Sequence, residues 1–105
     1  MEILKNLIQF RSCLKILIIE RTDKFKREYK KLPNNIKESF KKQLTRFIEH
    51  PYAEFHPSLR IKRIQGTNNI FEMTITINIR VTWQYIDKGI LLRNIGKHDK
   101  TLGNP

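Results

Sequence analysis

The stretch FEMTITINIRVTWQYIDKGILLRNI, residues 71–95, decides the fold. Apolar and polar residues alternate along it with a period of two, which is typical of strands that bury one face. Asn78 interrupts the alternation once, and Asp87-Lys88-Gly89 interrupts it again, where we expect Gly89 to supply the positive φ of a hairpin turn. The stretch therefore predicts three consecutive antiparallel strands: Phe71–Ile77, Arg80–Ile86 and Ile90–Ile95.

Two more strands are predicted upstream of this stretch. Leu14–Thr22 is rich in β-branched residues over a short span, which indicates a largely buried strand. Leu59–Ile64 precedes a turn rich in glycine and asparagine and indicates another short strand. Alternation along it places Arg60 and Lys62 on one face and Arg63 on the other.

Between these two strands the periodicity becomes helical. Phe25, Tyr29 and Leu32 recur on one helical face, and Thr22 or Asp23 is the expected N-cap. We expect Pro33 to end this first helix, because proline cannot continue it.

A second helix is predicted to begin at Asn35, with Glu38 as its capping-box partner, and to end at His50. The outer faces of the two helices carry nine lysines and arginines. Such a run is typical of a solvated helix face, and a dedicated binding surface is the alternative.

The order of these elements predicts an α+β fold. An N-terminal strand is followed by an antiparallel helical hairpin and then by four consecutive strands in a mainly antiparallel sheet. The hairpin covers one face of the sheet. The other face is expected to stay partly open and to collect Arg80, Thr82 and Gln84 as a basic, polar surface.

Residues 14–105 suffice for a single domain with one core. Residues 1–13 are expected to form an extension, as either a short amphipathic helix or an ill-ordered leader. The apolar stretches near the N-terminus fall short of the roughly 20 residues that cross a bilayer, and they lack a signal-peptide layout. Cys13 is the only cysteine, which excludes an internal disulfide, so the expected compartment is the cytoplasm.

The charge balance points to a polyanionic partner. Lysine and arginine number 21 against 10 acidic residues, which gives a formal net charge of +11. Nucleic acid is the leading candidate, because neutralised phosphates release counterions. An anionic membrane and an acidic protein remain alternatives on charge alone.

Several segments in the right order resemble the RelE/ParE superfamily of toxins. The resemblance runs from about Leu14 to Leu102, and it is carried by Asp23–Pro33, His56–Thr67, Ile70–Met73, Arg80–Trp83 and Leu91–Asp99.

The resemblance implies the toxin of a type II toxin–antitoxin pair. Its RelE-like branch implies a ribosome-dependent endoribonuclease that cuts mRNA in the ribosomal A site by attack of the RNA 2′-hydroxyl, without a metal or organic cofactor. The ParE-like branch implies a DNA gyrase inhibitor, and a non-catalytic member that binds antitoxin or RNA is a third possibility. A cognate antitoxin is expected to bind across the sheet and helices through an acidic or amphipathic segment, and no membrane partner is expected.

The resemblance also assigns catalytic roles. Arg80 matches a strand arginine that contacts the scissile phosphate, a role for which guanidinium supplies paired, permanently charged donors. His98 matches a general acid, and imidazole titrates near neutrality. Lys62 is the expected source of further charge at the phosphate. His56 is either the general base or a residue that caps its loop.

The sequence offers four further candidate RNA contacts and departs from the family pattern near its C-terminus. RNA contacts are expected from Arg60, Arg63, Gln84 and Lys97. No tyrosine follows Tyr85, although RelE itself has a catalytic tyrosine near its C-terminus. Leu102 stands near the place where an aromatic residue often stacks on a base, which puts base recognition in doubt. Phe71 and Trp83 are expected in the core.

Overall fold

The computed structural model describes residues 16–50, 55–98 and 101. The predicted extension, residues 1–13, lies outside the described residues. The elements confirm an α+β fold with a strand, two helices and four further strands. They are β1 (Ile18–Arg21), α1 (Asp23–Lys30), α2 (Asn34–Glu49), a 3₁₀ turn (Pro57–Leu59), β2 (Lys62–Arg63), β3 (Phe71–Thr74), β4 (Ile79–Ile86) and β5 (Gly89–Lys97).

The five strands form one sheet in the order β1-β5-β4-β3-β2. Strands β2 to β5 pair antiparallel with their chain neighbours, as short connections require. Strand β1 pairs with β5 in parallel, with Ile18 opposite Gly89. The sheet is therefore mainly antiparallel, as predicted, with one parallel pair at its edge.

Gly89 has a different purpose from the one predicted. Lys88, with φ 64°, adopts the positive φ of the β4–β5 turn, and Gly89 does not. A Cβ at Gly89 would lie 1.9 Å from the carbonyl oxygen of Ile18. Glycine is needed here because the backbone of β1 approaches β5 so closely.

The two helices begin differently. Thr22 caps α1 as predicted, because its Oγ1 accepts a hydrogen bond from the Phe25 amide at 3.0 Å. The capping box predicted for Asn35 and Glu38 is wrong. Extended Pro33 takes the N-cap position, no side chain caps the helix, and Asn35 is left inside the first turn.

The hydrophobic core lies between the helices and one face of the sheet. Phe25, Phe40 and Phe47 contribute from the helices, and Trp83 contributes from β4 with no exposed surface. Trp83 is in the core as predicted, and Phe71 is partly buried against it, with the two ring centroids 4.9 Å apart.

Three strand predictions were wrong in extent or burial. The strand predicted at Phe71–Ile77 ends as β3 at Thr74. All four residues of β1 are exposed, because the strand lies at the sheet edge and has a single neighbour. The strand predicted at Leu59–Ile64 shrinks to Lys62–Arg63. Leu59 ends the 3₁₀ turn and Arg60 is left-handed with φ 46°, so alternation does not extend back to Arg60.

The second face of the sheet is less open than expected. Thr82 and Asn94 are buried there, and Thr101 is only 1% exposed. Asn94 Nδ2 donates to the Thr101 carbonyl oxygen at 3.5 Å, and a Cβ on Gly96 would meet Thr101 Oγ1 at 3.0 Å. Thr101 thus covers part of this face. Within the described ranges, no helix combines the length and apolarity needed to cross a bilayer.

Candidate functional site

The turn between β3 and β4, residues 75–78, anchors both residues at the centre of the predicted chemistry. Arg80 Nη1 donates to the carbonyl oxygens of Thr76 at 2.8 Å and Ile77 at 3.1 Å. The backbone N–H of His98 donates to the Asn78 carbonyl oxygen at 3.0 Å. Arg80 and His98, 18 positions apart in the chain, are thereby held to one turn.

The end of β5 brings these two residues to one corner of the sheet. Arg80 is opposite Gly96, and Ile79 is opposite Lys97, the last residue of β5. His98 follows directly, exposed and at the first position of a helical segment. A strand-borne arginine and a histidine therefore lie at one corner of the sheet.

Glu72 is a member of this corner that sequence reasoning missed. Its Oε1 lies 3.7 Å from Arg80 Nε, and the two side chains are 10% and 15% exposed. Arg80 Nη1 donates to the turn carbonyls, and Nε lies beside Glu72. The remaining donor group, Nη2, makes no hydrogen bond to any described residue. The guanidinium is thus held in one place by groups on both sides.

Lys62 belongs to the same face. It is opposite Glu72 in the β2–β3 ladder, and directly opposed residues project to the same side. Strands β2 and β4 are two strand spacings apart, about 10 Å. The exposed Lys62, the buried Glu72 and Arg80 therefore give this face charges of alternating sign and an excess of positive charge.

His56 makes the contacts of a loop-capping residue. Its Nδ1 accepts a hydrogen bond from the Ser58 amide at 3.2 Å and lies 2.8 Å from Ser58 Oγ. Ser58 Oγ also accepts from Arg46 Nη1 at 3.0 Å. These partners belong to the 3₁₀ turn and α2, which favours the capping interpretation over that of a general base.

The four predicted RNA-binding residues do not form one surface. Gln84 is on the face of Arg80, where its Oε1 accepts from Arg93 Nη1 at 2.5 Å. Arg63 is opposite Phe71 and so lies on the face of the helices. Lys97, opposite Ile79, lies on that face as well.

Arg60 is exposed outside any strand, in the turn before β2. The structure therefore places Arg80, Glu72, Lys62 and Gln84 on one face of the sheet, with His98 at its corner. It separates from them Arg60, Arg63, Lys97 and His56. Glu72 could have been placed on the polar face by alternation, but its contact with Arg80 follows from the β3–β4 register.

Comparisons with known proteins support the fold. No family model matches the sequence, and a search of curated proteins finds no match. A chain of the RelB–RelE antitoxin–toxin complex from Methanococcus jannaschii is similar at a TM-score of 0.62 and 17% identity, over 77% of this chain and 92% of that one. A chain of the E. coli DinJ–YafQ toxin–antitoxin complex is similar at a TM-score of 0.67 and 14% identity, over 79% of this chain and 93% of that one.

The Staphylococcus aureus YoeB dimer is a third similar structure, with a TM-score of 0.67 and 13% identity, over 79% of this chain and 98% of that one. At these identities the similarity concerns the fold. The chain has the fold of the RelE-like toxins, which confirms the architecture that the resemblance implied.

Proposed function

We propose that this protein is the toxin of a type II toxin–antitoxin pair and a ribosome-dependent endoribonuclease that inhibits translation in the cytoplasm. The observation that carries the proposal is the anchoring of Arg80 and His98 to one turn at one corner of the sheet. The fold similarity to toxins and the net charge of +11 support it.

The chemistry assigned to this corner is cleavage by the RNA's own 2′-hydroxyl. The oxygen attacks the adjacent phosphorus, the bond to the 5′-oxygen breaks, and the products are a 2′,3′-cyclic phosphate and a free 5′-hydroxyl. Arg80 Nη2, with Lys62, stabilises the charge that develops on the phosphate. His98 donates the proton to the departing 5′-oxygen.

The proton of the 2′-hydroxyl passes to solvent water. His56, the sequence-based candidate for the general base, already accepts a hydrogen bond from the Ser58 amide at Nδ1. Arg60, Arg63 and Lys97 remain proposed RNA contacts away from the face of Arg80, and Gln84 is a proposed contact on that face. The resemblance to the RNA-cutting branch implies a reaction without a metal or organic cofactor.

The experiment is cleavage of a defined mRNA on programmed ribosomes. Wild type should release fragments with 5′-hydroxyl ends, and His98→Ala and Arg80→Lys should each lower the single-turnover rate by about 10²-fold or more. The control Arg27→Ala removes an exposed charge on α1 and should cut like wild type. Equal cleavage by wild type and Arg80→Lys would rule out the role given to Arg80.

One observation favours a second function that needs no catalysis. The engagement of Arg80 Nη1 by the turn and of Nε by Glu72 also suits an arginine whose purpose is structural. A ParE-like gyrase inhibitor or a non-catalytic binder of antitoxin or RNA would need nothing more. Inhibition of gyrase supercoiling that persists in His98→Ala, with no ribosomal cleavage by wild type, would favour the gyrase function. Absence of growth arrest on expression would favour a non-catalytic binder.

A further inference from the structure

Glu72 is a nearly buried acid that the proposed mechanism does not use. It projects on the face of Arg80, because it is opposite Thr82 in the β3–β4 ladder, and its side chain is 10% exposed. Its Oε1 is 3.7 Å from Arg80 Nε, which is longer than a hydrogen bond, and no described residue donates a hydrogen bond to the carboxylate. A carboxylate that served only as the counterion of Arg80 would be hydrogen-bonded to the guanidinium. The acceptor oxygens of Glu72 are therefore available to a ligand.

Glu72 also lies between the two cations that are proposed to bind the phosphate. Lys62 is directly opposite it on β2, and Arg80 is on β4, the neighbouring strand on the other side. A phosphate held by Arg80 Nη2 and Lys62 therefore spans the position of Glu72. The attacking 2′-oxygen must approach the phosphorus to about 3–3.5 Å, which brings its hydroxyl proton close to the carboxylate.

The strand register orders three groups along one diagonal of the sheet. Glu72, on β3, is level with Thr82 of β4, and Arg80 comes two residues earlier on β4. The backbone of His98, after β5, is hydrogen-bonded to Asn78, another two residues earlier. Arg80 therefore lies between Glu72 on one side and His98 on the other. Displacement at phosphorus places the attacking and leaving oxygens on opposite sides of the phosphate, which this order matches.

We propose that Glu72 is the general base: its carboxylate takes the proton of the 2′-hydroxyl as that oxygen bonds to phosphorus, and then gives the proton to solvent water. The inference rests on the proposed nuclease function. As the new bond forms, the bond to the 5′-oxygen breaks, and His98 protonates that oxygen. A carboxylate accepts a proton and an imidazolium donates one near neutrality, so the two groups can divide the acid and base roles.

The first test compares wild type with Glu72→Gln on programmed ribosomes. Glutamine keeps the shape of the side chain but cannot accept the proton, so the single-turnover cleavage rate should fall about 10²-fold or more. Binding of a non-cleavable 2′-O-methyl RNA should not weaken, because the fold and the phosphate-binding cations are retained. The control Glu20→Gln removes an exposed acid on β1 and should cut like wild type.

The second test supplies a base from solution. Glu72→Ala leaves room for a small carboxylate beside Arg80, and formate should raise its cleavage rate about tenfold or more. Nitrate is a planar anion of similar size that can neutralise Arg80 but is not a base at neutral pH. At equal concentration, nitrate should leave the rate of Glu72→Ala unchanged. Formate should also leave the rate of Glu20→Ala unchanged.

Three results would overturn the inference in a chain that cuts mRNA. The first is cleavage by Glu72→Gln at the wild-type rate. The second is a parallel loss of RNA binding and cleavage in Glu72→Gln, and the third is equal rescue of Glu72→Ala by formate and nitrate, which would make Glu72 only the counterion of Arg80. Each of these results leaves the proposed function standing. Absence of cleavage by wild type would instead disprove the nuclease function, and the role of Glu72 with it.

Discussion

Predicted site residues lie in two regions: the corner of the sheet at the start of β4 and the end of β5, and the segment around β2. The two regions hold these residues differently. At the corner, Arg80 projects from an eight-residue strand and is fixed by turn carbonyls and Glu72. Around β2, a two-residue strand follows a 3₁₀ turn and a left-handed Arg60, and Lys62 is exposed. A charge on a long, paired strand is preorganised, whereas a charge on a short edge strand must be ordered by its ligand.

Arg80→Ala should lower stability more than the other substitutions in these two regions. A small loss would contradict the conclusion that Arg80 is preorganised. The substitution removes two hydrogen bonds to turn carbonyls and a third to the carbonyl of Ile79, and it leaves Glu72 without its cation in a nearly buried site. We expect a loss of about 3 kcal/mol in the free energy of unfolding, measured by urea denaturation. Arg27→Ala, on the exposed face of α1, is the control and should change it by less than about 0.5 kcal/mol.

Glu72→Gln should lower stability less than Arg80→Ala does, and it should strengthen RNA binding. The amide keeps the shape and can still accept a hydrogen bond, so the expected loss is about 1 kcal/mol. Removing a negative charge beside Arg80 should raise affinity for a non-cleavable 2′-O-methyl RNA severalfold. Glu20→Gln, on exposed β1, matches the change in net charge. Equal gains in affinity for the two variants would mean that Glu72 acts only through net charge.

His56→Ala should cost about 1 kcal/mol, the usual contribution of a capping side chain. His56→Asn retains an acceptor for the Ser58 amide and should recover most of that stability. Both variants should cleave mRNA at the wild-type rate once folded. A rate lowered 100-fold in His56→Asn would instead restore His56 as the general base.

Lys62→Ala should have the smallest effect on stability, within about 0.5 kcal/mol, because the side chain is exposed. It should still lower RNA affinity about tenfold, or roughly 1.4 kcal/mol. Lys42→Ala is the control, since Lys42 is an exposed lysine on α2, away from the proposed RNA contacts. Equal losses of affinity would contradict the assignment of the RNA to the face of Arg80.

The sequence was sufficient for the parts of the fold that depend on local pattern. The β4–β5 hairpin follows from strict alternation around Asp87–Gly89, and α1 follows from its Thr22 cap and the spacing of Phe25 and Tyr29. The start of α2 was mistaken because Asn35 and Glu38 have the right spacing for a capping box, whereas Pro33 determines where the helix begins.

Features that depend on the pairing of strands distant in the chain could not be predicted from the sequence. The contact of Glu72 with Arg80 requires the exact β3–β4 pairing, and the need for glycine at position 89 requires the parallel approach of β1. The sequence did place Arg80 and His98 in one site, through the family resemblance. It could not show that a single turn, residues 75–78, holds both.

The measurement that tests the central claim most directly compares two RNA substrates on programmed ribosomes, one natural and one with sulfur in place of the 5′-oxygen at the scissile bond. A thiolate leaves without protonation, so the sulfur substrate needs no general acid. His98→Ala should lose about 10²-fold or more on natural RNA and less than about tenfold on the sulfur substrate, whereas Arg80→Lys should be impaired on both. Equal impairment of His98→Ala on the two substrates would contradict its role as the acid.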